Sequence, residues 1–378
     1  MILPRVNAFS IVALAMTSSS LISASTSTYQ NQNCSNVHVI PASVVNAPSI
    51  VNTVSSACGL DGPKVAPINA STYDWWYFEV VSEDQSYYAS ISFLATPGTG
   101  FTPSLFPNDA ILATYISVAS PEFAHYGLLL PAERAVITTD EGQGASGVWE
   151  GTGTSFTGTA DLSSYRVDLD VPGGELSGWI TLDSIAPAHY PSGPAQAGES
   201  METIVGWANA IPDSVAEVYF NINGTEVKFT GSGYHDKNWG SKPFNETVAS
   251  WYWGRGRLGP YSVVWFDGLD TEGIEHVAVY VAKDGAIVYS AKSGIVVRPT
   301  GSNAEYPPHK GDMPGGLHAV IDMGEAGVLE FDVIHTVDPI LEEENHAKWR
   351  GILSGGLRGQ EQILNGTASY EQFALVEA

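Results

Sequence analysis

Alternation of hydrophobic and polar positions is the main pattern of this chain from residue 73 onward, and it predicts β-strands. Residues 88–94 (YASISFL) alternate with a period of two, which is typical of a half-buried strand. No window of twelve or more residues in this region has a convincing helical period. Similar short runs, separated by glycine, proline, aspartate or serine, occur at 111–118, 135–138, 147–149, 155–159, 165–171 and 176–182.

Two dipeptides predict β-hairpins. Asn223-Gly224 separates the strand-like runs 218–222 and 225–229, and Asp284-Gly285 separates 276–281 from 286–290. Asn-Gly and Asp-Gly supply the positive backbone angles that type I′ turns need.

The remaining segments predict loops, one helix and the last strands. Proline and glycine mark long loops at 187–202 and 299–316, a length that in compact domains is usually functional or disordered. Residues 341–349 are the best helix candidate, as a short acidic segment. The last strands are predicted at 351–355 and 368–375.

The length of 378 residues favours two domains. We predict a signal peptide at 1–24, an extended, mostly irregular arm at 25–70, and β domains at 71–242 and 243–378. The fold class is therefore all-β, with two barrels or sandwiches packed together, because paired or closed sheets protect the edges of so many short strands. Ligands prefer such interfaces, so a pocket is expected between the domains.

The net charge of −25 excludes some classes of partner. Forty-one acidic residues against sixteen basic ones disfavour nucleic acid and anionic membranes. The acidic residues are scattered, and their simplest role is solubility. After the N-terminus, no segment is apolar enough for a membrane span.

The N-terminus predicts export through the secretory pathway. Arg5 supplies a positive charge, residues 9–16 form a short apolar core, and small residues follow at Ser23-Ala24. A signal anchor or a disordered tail remains an alternative. Cys34 and Cys58 would form one disulfide in an oxidising compartment and would be two thiols in a reducing one. Glycosylation sequons occur at Asn69, Asn223, Asn245 and Asn365.

Three aromatic-rich stretches, 73–79, 231–240 and 250–257, hold the candidate chemistry. If 73–79 is a strand, Asp74 shares a face with Trp76 while Glu79 shares the other with Tyr77. A carboxyl group among aromatic rings has a raised pKa and acts as an acid or hydrogen-bond donor. The alternative is that each acid is solvated at a strand end and the aromatics are core.

His235-Asp236 is the other candidate, as a metal-binding or acid–base doublet. Adjacent strand residues point to opposite sides, and no second histidine has the spacing of a zinc site, so the sequence disfavours a metal. The alternative for Asp236 is to fix loop backbone or to pair with Arg255 or Arg257. The chain contains no Gly-x-Ser-x-Gly, P-loop or dinucleotide motif, so nucleophilic and nucleotide chemistry have no support.

The stretches YDWWYFE (73–79), GSGYHDKNWG (231–240) and WYWGRGRLGPY (251–261) together resemble the fungal Diels–Alderase family. That family is related to hydroxyneurosporene synthases (carotenoid hydratases) and to AttH-like lipocalin-fold proteins, and the resemblance spans most of 70–375. It implies two lipocalin-like domains with a pocket between them. It also implies no metal or organic cofactor, and a Diels–Alder or hetero-Diels–Alder cyclisation in fungal secondary metabolism.

The resemblance also suggests roles for single residues. A pericyclic enzyme folds a bulky, mostly apolar substrate into a reactive conformation and polarises it with a hydrogen-bond donor or cation. The residues expected to anchor and activate the polar groups of the substrate are Asp74, Glu79, His235 and Lys348. Those expected to shape the substrate pocket are Trp76, Trp207, Tyr234, Trp253, Trp265 and Trp349.

Two other classes of function stay open from the sequence. One is a hydratase or isomerase in which Asp74 or Asp236 protonates an alkene, and solvent deuterium in the product would favour it. The other is a secreted protein that binds a hydrophobic metabolite, which predicts an unchanged ligand after long incubation.

Overall fold

A computed structural model describes residues 36–56, 59–97, 111–139 and 142–375, and these are almost entirely β. The predicted signal peptide at 1–24 and both cysteines, Cys34 and Cys58, lie outside the described residues, so both stay predictions. The strands up to residue 240 are β1 (Asn36–Pro41), β2 (Ile50–Val51), β3 (Val65–Ala66), β4 (Tyr73–Ser82), β5 (Tyr88–Ala95), β6 (Leu112–Ala119), β7 (Tyr126–Pro131), β8 (Arg134–Thr139), β9 (Ser146–Glu150), β10 (Thr154–Gly158), β11 (Ser164–Asp170), β12 (Leu176–Ser184), β13 (His189–Tyr190), β14 (Gly193–Pro194), β15 (Gly206–Ile222) and β16 (Thr225–Gly240).

The later elements begin with a single turn of helix, α1 (Phe244–Thr247). Strands then continue as far as residue 374, with a 3₁₀ turn at Gly324–Ala326. They are β17 (Val248–Leu258), β18 (Tyr261–Asp270), β19 (Glu275–Lys283), β20 (Ala286–Ala291), β21 (Ile295–Thr300), β22 (Gly316–Asp322), β23 (Val328–His335), β24 (Leu341–Glu342), β25 (His346–Leu357) and β26 (Leu364–Ala374).

Two large antiparallel sheets account for most of the described chain. The first has 14 strands, and its main path runs β1-β8-β9-β10-β11-β12-β15-β16-β4-β5-β6-β7. The second has 10 strands, with the main path β20-β19-β18-β17-β26-β25-β23-β22-β21. Each sheet has its own apolar core. Trp76, Phe78 and Trp149 are buried in the first, and Trp265, Phe331 and Trp349 in the second.

The predicted hairpins are both confirmed. Asn223 and Gly224 join β15 to β16 with φ angles of 49° and 86°. Asp284 and Gly285 join β19 to β20 with φ angles of 49° and 79°. These positive angles explain why a short polar residue and a glycine are needed at the two turns.

The helix predicted at 341–349 is wrong. These residues form β24 and the beginning of β25, and Lys348 pairs with Leu341 on one side and with Glu371 on the other. β25 lies between β23 and β26, so inter-strand hydrogen bonds replace those of a helix. Tertiary pairing has overridden a weak local preference.

A third apolar cluster joins the two sheets. It contains Trp75, Trp207 and Tyr234 from the first sheet, with Trp251 and Trp253 from the second. The predicted fold class, an all-β chain with two packed β units, is confirmed. The domain boundaries at 71–242 and 243–378 stay a prediction. No helix in the described part of the chain is long and apolar enough to cross a bilayer.

Candidate functional site

A cleft lies between the two sheets. It encloses about 1050 Å³ of space, its open mouth included. Strands β4, β5, β6, β15 and β16 contribute to one wall, and β17, β18, β25 and β26 to the other. A concave site lined mostly by apolar and aromatic side chains is typical of sites that bind organic molecules. The aromatic rings of Trp, Tyr and Phe that line it are those of Trp75, Tyr77, Tyr88, Tyr115, Trp207, Trp251, Trp253, Phe266 and Phe373.

The aromatic walls are held by edge-to-face packing. The Trp251 ring centre lies 5.3 Å from that of Phe266 and 4.9 Å from that of Phe373, with interplanar angles of 67° and 81°. In this arrangement the positive edge of one ring meets the negative face of another. The rings therefore form a rigid apolar surface whose faces also attract positive charge.

Asp236 on β16 is the buried acid of the cleft. The Tyr234 hydroxyl donates a hydrogen bond to Asp236 Oδ2 over 2.7 Å, and Trp207 Nε1 donates to the same oxygen over 2.9 Å. Asp236 Oδ1 is buried and has no hydrogen-bond partner among the described residues. Because both donors occupy Oδ2, Oδ1 is the oxygen left to carry a proton.

The protonation of Asp236 follows from its surroundings. Burial raises the pKa of this carboxyl group to about 7, against the opposing effect of its two hydrogen bonds. The pairing with Arg255 or Arg257 considered from the sequence is not formed. Arg255 binds Glu79. Arg257 binds Asp213. Asp236 is therefore a neutral acid at mildly acidic pH and still partly protonated near neutrality.

Glu79 connects the two sheets behind the cleft. Arg255 Nε donates to Glu79 Oε1 over 2.7 Å. Glu79 Oε2 accepts hydrogen bonds from the Tyr77 hydroxyl over 2.5 Å and from Ser369 Oγ over 3.0 Å. Lys348 Nζ lies 3.2 Å from the same oxygen and donates to the Tyr77 hydroxyl over 2.6 Å. This network fixes Lys348 at the edge of the cleft.

Glu79 and Lys348 are both charged in this network, because each holds the other in its ionised form. Burial raises the pKa of Glu79, but Lys348 and Arg255 outweigh that effect and bring it to about 2. Burial lowers the pKa of Lys348, whereas the charge of Glu79, with smaller contributions from other neighbours, holds it above its usual range. Glu79 is therefore a fixed anion that cannot donate a proton, and Lys348 is a fixed cation.

Five of the predicted site residues lie at or directly behind the cleft. Trp207, Trp253 and Lys348 line it. Tyr234 and Glu79 contact residues that line the cleft. Tyr234 donates a hydrogen bond to Asp236, and Glu79 forms an ion pair with Lys348.

The other five predicted residues lie in the two cores, away from the cleft. Each is next in sequence to a residue that lines the cleft, and neighbours on a strand point to opposite faces. Asp74, Trp76 and His235 are buried in the first unit. Trp265 and Trp349 belong to the core of the second.

Asp74 and His235 have partners of their own in the first core. Asp74 forms a buried ion pair with Lys237. The His235 ring stacks on Phe78 with 3.9 Å between ring centres, and its Nε2 lies 3.1 Å from Asp61 Oδ2. These contacts give both side chains a structural role.

The His235-Asp236 doublet is split by the strand, as the alternation predicts. The imidazole enters the first core and the carboxyl group enters the cleft. Among the residues that the structure describes, no three His, Cys, Asp or Glu side chains are grouped so that they could hold a metal ion.

Several cleft residues were missed by the sequence analysis. Trp75 and Trp251 line the cleft, and so do His346 and Glu371 on neighbouring strands β25 and β26. The two tryptophans could have been found from strand alternation once one cleft residue was known. Glu371 could not have been found in this way. It lies at the cleft because the pairing register of β25 and β26 places it opposite Lys348, and the sequence does not reveal that register.

Comparison with known proteins agrees with this architecture. The crystal structure of CghA with Sch210972 superimposes with a TM-score of 0.74 at 20% sequence identity, covering 90% of this chain and 99% of that one. The quinolone epoxide rearrangement protein asqO of Emericella nidulans is 34% identical over 342 residues, which cover 88% of this chain and 92% of asqO. The quinolone epoxide rearrangement protein penF of Penicillium thymicola is 35% identical over 351 residues, covering 90% and 95% of the two chains.

A family model described as Diels-Alderase-like matches residues 32–304, more than two thirds of the chain. This match includes the first sheet and strands β17 to β21 of the second, whereas β25 and β26, which complete the second wall of the cleft, lie beyond it. The lipocalin-like fold and the family expected from the three aromatic stretches are both confirmed. The chain belongs to the Diels-Alderase-like family.

Proposed function

We propose that this chain is an enzyme of fungal secondary metabolism that cyclises or rearranges a bulky, mostly apolar substrate in the cleft. The substrate would bind between the aromatic walls and be held in a reactive conformation, which reduces the entropy cost of reaching the transition state. The groups needed for this chemistry, an acid and an aromatic surface, are side chains of the protein.

The observation that carries the proposal is Asp236, a neutral acid in an aromatic cleft. The relatives asqO and penF, which match 88% and 90% of this chain, are named for epoxide rearrangement, and a proton donor can start such a reaction. Asp236 Oδ1 would transfer its proton to the epoxide oxygen while one C–O bond breaks and its electron pair moves to that oxygen. A group on the carbon that keeps the oxygen would then migrate with its bonding electrons to the neighbouring cationic carbon, which leaves the positive charge on the hydroxyl-bearing carbon. Loss of the O–H proton then gives a carbonyl product, an isomer of the substrate.

The aromatic walls suit the positive charge that forms in this step. Trp75, Trp207 and Trp251 line the cleft, and a cation gains about 1–2 kcal/mol over an aromatic face when water is excluded. An apolar lining also keeps water from adding to the cation. This favours rearrangement over hydration.

The test is turnover of a quinolone epoxide by the purified chain, followed by mass spectrometry and NMR. We expect a carbonyl isomer of unchanged mass. Asp236→Asn should lower kcat by at least about 100-fold, the contribution of a general acid. Asp267→Asn is the matched control, because burial also raises the pKa of Asp267 to about 7 but this residue lies in the second core. Equal activity of Asp236→Asn and the wild type would overturn the assignment.

A Diels–Alder cyclisation is the second candidate, supported by the family model. In that reaction Asp236 would donate a hydrogen bond to the electron-poor partner without full proton transfer. A polyene substrate that cyclises stereoselectively, while the epoxide is left unchanged, would favour this candidate.

We also propose that the chain enters the secretory pathway and carries N-linked glycans. The leader-like N-terminus supports this, as do the exposed positions of Asn223, Asn245 and Asn365; Asn69 is half-buried. Expression in a filamentous fungus should give a secreted protein whose mass falls after glycosidase treatment. Retention in the cell with an unchanged mass would contradict the proposal.

A further inference from the structure

His346 lies in the cleft on the second sheet, and one of its nitrogens is held by a carboxylate. Its Nε2 is 3.1 Å from Glu371 Oε2, and both side chains line the cleft. The His346 ring stacks on Phe373 with 3.8 Å between ring centres and an interplanar angle of 14°. The stacking and the hydrogen bond together fix the plane and the direction of the imidazole.

The charge of Glu371 decides which nitrogen of His346 carries the proton. Lys348 Nζ lies 3.5 Å from Glu371 Oε2. Burial raises the pKa of Glu371, but the Lys348 charge and the hydrogen bond with His346 hold it below its usual range. An ionised carboxylate only accepts hydrogen bonds, so Nε2 of a neutral His346 is the protonated nitrogen. Its Nδ1, which has no hydrogen-bond partner in the described part of the chain, then carries a free lone pair.

This arrangement is that of a histidine base oriented by a carboxylate. The carboxylate selects the tautomer and stabilises the imidazolium that forms when Nδ1 takes a proton. Asp236 lines the same cleft from the first sheet and has the opposite property, a neutral carboxyl group with a free Oδ1. The cleft therefore places a proton donor on one sheet and a proton acceptor on the other.

We propose that His346 is the general base of this cleft and that Glu371 is its positioning residue. The inference rests on the proposed function and names the acceptor of the proton that rearrangement leaves on the product oxygen. The product O–H bond breaks and its electrons complete the carbonyl group, while the proton bonds to His346 Nδ1. The imidazolium then releases this proton to solvent, and the Asp236 carboxylate takes one up, which returns both residues to their starting states.

A base in the cleft has a consequence that does not depend on epoxide turnover. A bound cyclic ketone with an acidic α-hydrogen should exchange that hydrogen with solvent, because the base removes it and returns deuterium from D₂O. We would use 2-phenyl-1-tetralone as the probe, at a concentration that saturates the quenching of tryptophan fluorescence. The exchange rate is read by proton NMR.

The wild type should accelerate exchange of the probe at least about 100-fold over buffer. His346→Ala should lose this acceleration and regain part of it when imidazole is added, which a merely structural residue would not show. His346→Phe keeps an aromatic ring against Phe373 and serves as the second variant, with its melting temperature measured. Glu371→Gln should reduce the exchange rate at saturation about tenfold with little change in probe affinity.

Exchange by His346→Ala at the wild-type rate, or no acceleration by the wild type, would overturn the inference. Epoxide turnover separates this result from the proposed function. If the wild type converts the epoxide and His346→Ala has the same kcat, the proposed function is supported and the assignment of His346 as the base is wrong. If exchange depends on His346 but the epoxide is not converted, the assignment of His346 as a base is supported and the proposed epoxide rearrangement is wrong.

Discussion

Arg255 Nε donates a hydrogen bond to Glu79 Oε1 over 2.7 Å, and this contact joins the second sheet to the first. Both side chains are almost entirely buried. Two further donors from the second sheet, Ser369 and Lys348, reach the other oxygen of Glu79. This buried carboxylate therefore helps to hold the two walls of the cleft together, as Asp213 does through Arg257 and Ser262. Loss of the Glu79 carboxylate should lower the stability of the fold.

Glu79→Gln should destabilise the protein. The change leaves the buried Arg255 without its counter-ion, and breaking a buried ion pair in this way costs about 3–5 kcal/mol. Urea unfolding followed by tryptophan fluorescence measures the effect. The matched control is Glu150→Gln, which removes an exposed pair with Arg134 and should have little effect on stability, because solvent screens such pairs. Similar losses for the two variants would mean that Glu79 does not clamp the sheets.

The pH dependence of the rate should follow Asp236. Its pKa is raised to about 7, so the protonated, active form dominates below that value and is lost as the pH rises through it. We expect kcat/KM to fall about tenfold for each unit of pH above about 7. The profile is measured between pH 5 and about 9, with circular dichroism at each pH as a check on folding. A rate that rises across this interval would exclude Asp236 as the acid.

Tyr234→Phe should move that pH profile to higher pH. The Tyr234 hydroxyl donates to Asp236 and stabilises its charged form, so its removal raises the pKa of the carboxyl group further. Tyr165→Phe is the control, because its hydroxyl bonds Asp61 in the first core. It should leave the midpoint unchanged. A profile that does not move in Tyr234→Phe would show that this hydrogen bond does not tune the acid.

The sequence predicts much of the fold and less of the site. Strand alternation and the turns at Asn223 and Asp284 are local properties, and they identified the sheets correctly. The same alternation does not tell which face of β4 meets the cleft, because this strand is buried on both faces. One face packs on the first core and the other faces the second sheet, so neither face is marked by a row of exposed polar residues. That is why Trp76 was selected and its neighbour Trp75 was not.

Trp75 and Trp76 therefore give a direct test of where the substrate binds. Trp75 lines the cleft, whereas Trp76 is fully buried in the first core and its Nε1 donates to the Asp61 carbonyl over 2.7 Å. Trp76→Ala should cost about 3–5 kcal/mol of stability, since it leaves a large cavity and the Asp61 carbonyl without its partner. Trp75→Ala opens onto existing space and should cost less, but it should raise KM and change the product ratio.

The two variants are compared by urea unfolding and by product analysis on the same preparations. We expect the stability loss in Trp76→Ala and the altered products in Trp75→Ala, because neighbouring residues on a strand point to opposite faces. Product ratios altered by Trp76→Ala alone would place the substrate inside the first core. The cleft between the sheets would then be an interface and not the active site.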